Sequence, residues 1–232
     1  MSLEVHPLLG IGRVEPGDDV AAALVEPLRT LQPRDGDIVV VTHKIVSKAE
    51  GAVREIVGDE REFKMRLAEQ EAVSIIRRRG DLIIAETKHG FVCASAGIDR
   101  SNADPGTVIL LPEDPDRSAH RIRIRLEREF GVRLGVIISD TFGRAWRRGL
   151  TDVAIGISGI PAIVDLRGTR DWLGHELEVT EVAVADEIAA AADLVMGKAS
   201  GIPAALVRGL DLPAAEGRAR DLVRPPDEDL FR

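Results

Sequence analysis

Apolar and polar residues alternate along this chain in two rhythms, one strand-like and one helical. Residues 3–9 read as a first strand that leads into the turn Gly10-Ile11-Gly12. Pro16-Gly17-Asp18-Asp19 then opens a helix, with an aspartate placed to accept from the free N–H groups of its first turn. Pro27 falls inside that helical pattern. Asp35-Gly36 is a turn, and 37–42 (Asp-Ile-Val-Val-Val-Thr) is a β-branched strand. The spacing of Met65, Ala68, Ala72, Ile75 and Ile76 predicts one helix over 60–79, stopped by Gly80. Residues 82–85 and 108–111 read as short strands. Ile122, Leu126 and Phe130 predict a helix over 118–130 that ends at Gly131. A strand is expected at 134–139 and a helix at 180–195, with its stripe Val182, Ala185, Ile188, Ala189, Ala192 and Val195. A last strand is expected at 204–207. The mixture implies an α/β or α+β architecture and leaves strand order open.

The chain has 232 residues, enough for one large domain or two small lobes. Its net charge of −8 argues against nucleic acid or an anionic membrane as partner, so any anionic ligand needs a local basic cluster or a metal. Cys93 is the only cysteine, which excludes an intrachain disulfide and fits a reducing cytoplasm. No apolar run approaches the roughly 20 residues that span a bilayer, and the first residues do not resemble a signal peptide.

Chemistry-bearing side chains gather where apolar runs end. The run 134–139 stops on Asp140 and Thr141, hard oxygen donors, and Arg144, Arg147 and Arg148 follow. Trp146 among them is expected in the core. Thr42-His43-Lys44-Ile45-Val46-Ser47-Lys48 leaves the strand at 37–42. Lys44 and Lys48 would share a face of a helical turn and repel unless an anion lies between them. They form either a phosphate grip or an ordinary solvated loop. In 89–102 small residues precede Asp99-Arg100-Ser101-Asn102. Asp99 could share a divalent cation with Asp140, or the segment could be a polar turn closed by its own side chains. Asp152 is either another carboxylate near such a metal or a cap. Met196-Gly197-Lys198-Ala199-Ser200-Gly201-Ile202-Pro203 could line a nucleotide pocket or simply end a helix. Its Gly-Lys pair lacks the upstream glycine and the following Ser or Thr of a P-loop. Dinucleotide-binding, α/β-hydrolase and zincin motifs are missing, and the histidines show no ligand spacing.

These segments, in order, resemble the coenzyme F420-0:L-glutamate ligases, the gamma-glutamyl ligases of deazaflavin coenzyme biosynthesis. The markers are Pro16-Gly17-Asp18-Asp19, the stretch from Val41 to Gly51, His89-Gly90-Phe91, and Gly97 to Asn102. Ile138 to Arg144, Asp152 to Gly156 and Thr180 to Glu187 complete them. The resemblance implies an α+β fold of mixed sheets and packed helices, neither P-loop nor ATP-grasp. It implies one ligase domain over 1–232, as a single body or two interleaved lobes, without the nitroreductase-like domain of some relatives. It implies a cytoplasmic homodimer that uses GTP, Mg²⁺ or Mn²⁺, and K⁺ to add L-glutamate to the lactyl-phosphate side chain of F420-0. Metal ligation falls to Asp99, Asp140 and Thr141. GTP contacts fall to Ile11, Gly12, Arg13, Val14, His43, Lys48 and Asn102, and to Met196, Gly197, Lys198, Ala199, Ser200, Gly201, Ile202 and Pro203. Two positions depart from the pattern. His43 stands where the family more often has serine, and Lys198 where archaeal members are expected to carry a glutamine ligand.

The expected chemistry is transfer of the γ-phosphoryl of GTP to a carboxylate, then attack of the glutamate amine on the acyl phosphate, releasing phosphate. That route needs positioning and charge neutralisation above all. Asp140, Lys48 and Arg144 are the expected catalytic residues, with Arg144 and Arg147 gripping the acceptor's phosphodiester or carboxylate. The alternatives are a ligase of the same fold acting on another small carboxylate, and a non-catalytic module that binds GTP or metal.

Overall fold

The computed structural model describes residues 2–230, so the outermost positions of the expected 1–232 domain lie outside it. Its strands and helices, in chain order, are β1 (Glu4–Pro7), α1 (Val20–Leu31), β2 (Asp37–Thr42), α2 (His43–Ala49), β3 (Val53–Glu55), α3 (Glu60–Glu71), β4 (Ala72–Arg79), β5 (Leu82–Thr87) and β6 (Val92–Ala94). They continue with β7 (Thr107–Ile109), α4 (Pro115–Phe130), β8 (Leu134–Arg144), β9 (Arg147–Ser158), β10 (Val164–Asp165), β11 (Glu181–Val182), α5 (Val184–Met196) and β12 (Ala204–Arg208). The fold is α+β, as expected.

The main sheet has the order β1-β12-β2-β8-β9, and only β2 and β8 run parallel. Strand β2 is buried on both sides, which explains its unbroken apolar run. Because strand side chains alternate, Val39 and Val41 pack with Leu24 and Leu28 of α1 and Ile122 and Leu126 of α4. Ile38 and Val40 face Ala185, Ile188 and Ala189 of α5 instead. Helices therefore cover both faces. Residues between 52 and 110 build a separate core of Leu67, Ala68, Ile83, Ala85, Ile98, Val108 and Leu110, around α3 and the small sheets β3-β7 and β4-β5-β6.

Helix boundaries follow local chemistry. Asp19 caps α1 by accepting from Ala22 N, and Asp114 caps α4 by accepting from Arg117 N. Gly131, at φ 70°, ends α4. Helix α1 runs on through Pro27.

Several expectations need correction. The helix expected over 60–79 ends at Glu71, and Ala72–Arg79 pairs with β5 as a strand. Val73, Ile75 and Ile76 are β-branched and suit that ladder, and Gly80 turns the hairpin at φ 59°. Strand β8 does not break at Asp140 but continues to Arg144, paired with β9. Trp146 is 80% exposed at the hairpin tip rather than in the core. Helix α5 starts at Val184, because Glu181–Val182 is occupied in pairing with β10.

Candidate functional site

The register of the main sheet gathers the site. In the parallel pair Thr42 lies opposite Ser139, so α2 begins beside Asp140, where β2 ends and β8 runs on into its hairpin with β9. Strand β12 enters at that same end, where Thr42 N donates to Pro203 O at 2.9 Å. Strand β1 leaves there too, with Leu8 N donating to Ala204 O at 2.9 Å. The loops 9–14 and 197–203 thus converge with α2 and the β8–β9 hairpin. Asp99 arrives from the smaller core, held by paired backbone hydrogen bonds with Ile109 of 2.9 and 2.8 Å.

Between them lies a cleft of about 630 Å³, within the roughly 300–1,000 Å³ of small-molecule sites. Of the residues expected to hold nucleotide or metal, Ile11, Gly12, Arg13, Val14, Lys48, Asp99, Asn102, Thr141, Met196, Gly197, Lys198, Gly201, Ile202 and Pro203 line it. His43, Asp140, Ala199 and Ser200 do not. His43 is fully buried and lies outside the cleft lining. Ser200 instead turns back to donate to the Met196 carbonyl. Arg144 is exposed near the hairpin tip, 3.4 Å from the Arg148 carbonyl and away from the cleft. Asp193 lines the cleft unforeseen, because it sits on a helix read only for its apolar stripe.

Two adjacent residues of α2 each meet one of the expected metal-ligand carboxylates. Lys44 Nζ lies 2.7 Å from Asp99 Oδ2. His43 Nε2 lies 3.3 Å from Asp140 Oδ1, close but without hydrogen-bond alignment. The other ring nitrogen, Nδ1, lies 3.3 Å from Ser47 Oγ. Asp140 Oδ1 also accepts from Thr141 N at 2.6 Å. Asp99 closes its own turn as well, accepting from Ser101 N at 2.6 Å and from Ser101 Oγ at 2.9 Å. Burial alone would raise the Asp99 carboxyl, but Lys44 and Ser101 outweigh it and hold it below the usual value.

Strand alternation sends Thr141 to the face opposite Asp140. There Thr141 lies across the ladder from Asp152 and donates to its Oδ1 at 2.6 Å. Ser139 Oγ donates to Asp152 Oδ2 at 2.9 Å. Lys198 Nζ completes this wall, 2.6 Å from Asp152 and 2.8 Å from Asp193. Burial would lower the Lys198 amine, yet the two carboxylates overcome it and hold it above its ordinary value.

The donors fit a hard dication. Asp99 and Asp140 offer only oxygen, as Mg²⁺ and Mn²⁺ prefer, whereas Thr141 points away from Asp140 and is taken up by Asp152 and Lys198. Among the described residues no three His, Cys, Asp or Glu side chains form a cage.

Comparison with known proteins identifies the family. A family model described as F420-0:Gamma-glutamyl ligase matches residues 9–209. A coenzyme F420:L-glutamate ligase of Methanopyrus kandleri is 46% identical, aligned over 100% of this chain and 98% of its own. Proteins of the same name from Methanocaldococcus jannaschii and Methanothermobacter thermautotrophicus are 45% and 43% identical, covering 85% and 100% of this chain and the same shares of their own. The cleft-forming segments from the loop at 9–14 to the one at 197–203 all fall inside the matched span, and the chain belongs to the F420-0:gamma-glutamyl ligase family.

Proposed function

We propose that this protein is a ligase of coenzyme F420 biosynthesis that uses GTP to join L-glutamate to F420-0 through an acyl phosphate, releasing GDP and phosphate. The observation that carries this reading is the cleft itself. Two loops, three lysines and three aspartates from separate parts of the chain line one concavity in a family whose relatives are named coenzyme F420:L-glutamate ligases.

The chain's own groups have definable tasks. The loops 11–14 and 196–203 wall the nucleotide and keep water from it. Lys48 offsets phosphate charge, Lys198 balances Asp152 and Asp193, and Lys44 holds Asp99 in place. Asp99 and Asp140, with His43 behind the latter, would hold Mg²⁺ or Mn²⁺. A bound dication would neutralise the triphosphate and fix its orientation. The γ-phosphoryl then passes to the acceptor carboxylate, turning one of its oxygens into part of a phosphate leaving group. The glutamate amine attacks that carbonyl, forms the amide and expels phosphate.

The test is incubation of the full chain with GTP, Mn²⁺, L-glutamate and F420-0, followed by mass spectrometry. A gain of one glutamyl unit with matching GDP release is expected. GDP release with another carboxylate but not with F420-0 would move the protein to a different acceptor. Nucleotide binding without turnover would make it a binding module.

A further inference from the structure

The wall opposite Asp99 holds two carboxylates and a hydroxyl that share a single cation, and that cation belongs to the chain. Asp152 is 3% exposed, and both of its oxygens already accept hydroxyl hydrogen bonds, from Ser139 and Thr141. A second carboxylate, Asp193, projects into the same place from the last turn of α5. Two ionised carboxylates on one wall repel each other unless a positive charge stands between them. Lys198 supplies it, with Nζ 2.6 Å from Asp152 Oδ1, 2.8 Å from Asp193 Oδ1 and 2.5 Å from Thr141 Oγ1. These spacings suit an ammonium rather than Mg²⁺, which draws oxygens to roughly 2.0–2.1 Å. The side chain is half-exposed, so its charge also faces the cleft. Gly197, at φ 62°, ends α5 and turns the chain so that the next side chain reaches back.

We propose that Lys198 is a fixed cation in the cleft, seated between Asp152, Asp193 and Thr141 where an exchangeable dication would otherwise bind. The inference rests on the nucleotide-and-metal reading above. It removes Thr141 from the metal ligands of this chain and leaves metal binding to Asp99 and Asp140.

The experiment counts Mn²⁺ bound per full-length chain in the presence of GDP, by electron paramagnetic resonance of the free ion. Lys198→Gln should bind one Mn²⁺ more than the unchanged protein, and Lys198→Gln combined with Asp152→Asn should lose that gain. Mn²⁺ should also raise the melting temperature of Lys198→Gln more than that of the parent. If Lys198→Gln folds poorly, Lys198→Met keeps an unbranched stem without the charge and is read the same way. Equal, non-zero counts in parent and variant would overturn the role of Lys198 while leaving the ligase reading intact. If neither protein binds Mn²⁺ with GDP, the metal reading fails and takes this inference with it.

Discussion

His43 Nε2 stands 3.3 Å from Asp140 Oδ1, and the imidazole is sealed from solvent. Nε2 makes no aligned hydrogen bond there, so the expected role of the ring is to back the carboxylate by contact rather than by a directed bond. Partners that orient a metal ligand typically contribute about 10–100-fold in metal affinity or activity. His43→Ala should therefore weaken Mn²⁺ binding and glutamate addition by roughly that factor. His43→Gln, which keeps a polar side chain of similar reach behind Asp140, should recover most of it. Isothermal titration with Mn²⁺ checks both. Unchanged affinity in His43→Ala would show that Asp140 needs no such support.

Lys44 and Asp99 give a pH-dependent contribution with a definite sign. The Asp99 carboxyl is held below its ordinary value, so the folded state binds that proton less readily than the unfolded chain. The resulting stability is fully present above the unfolded value and is lost as pH falls through the folded one. The pair is partly exposed, and with solvent screening its worth is about 1 kcal/mol. Lys44→Met should thus lower metal-free stability by about that amount at neutral pH. The deficit should shrink as the pH drops below the usual aspartate range. Urea unfolding at pH 7 and pH 3 measures it, and an equal deficit at both would refute the assignment.

What the sequence discloses follows from how local each signal is. Strand β2 announces itself because burial on both faces demands a continuous apolar run. Helix α4 does so through its apolar spacing and the glycine that ends it. Strand β9 stays hidden, since its first half is polar and exposed and its extended form comes from pairing with β8. The helix expected over 60–79 fails for a related reason: Ile75 and Ile76 fit a helical stripe and a strand equally well, and β5 decides between them. In the site, Asp99 and Thr141 are legible as oxygen donors at the ends of apolar runs. The Asp152–Lys198–Asp193 contact is not, because it joins β9 to both the last turn of α5 and the loop beyond, which only the tertiary fold brings together.

Cys93 is buried, and burial together with the nearby Asp140 charge pushes its thiol up to about 12. Thiolate, not thiol, is the nucleophile, so the native protein should resist alkylation at pH 8. Ellman's reagent should find no reactive thiol in the folded chain and one in guanidinium. Cys93→Ser should leave glutamate addition near its original rate, with stability lowered by a buried hydroxyl in place of sulfur. Rapid labelling of the native protein would contradict the burial.

Gly156 sits in β9 where the strand passes under the start of α4. A Cβ at this position would lie 2.5 Å from the Pro115 carbonyl oxygen and 2.6 Å from its carbon. Both atoms are backbone at the first turn of a helix capped by Asp114, so they cannot swing aside as a flexible side chain would. Gly156→Ala must push α4 off the sheet or bend β9, and overpacking of that kind costs about 1–3 kcal/mol. The same substitution at Gly12, where no heavy atom lies within 4 Å of the new Cβ, should cost far less. Thermal unfolding of the two variants separates a steric cause from a general cost of losing glycine. Since β9 also carries Asp152, Gly156→Ala should weaken nucleotide binding along with stability, whereas equal melting temperatures for the two variants would show that α4 is not seated on β9 at Gly156.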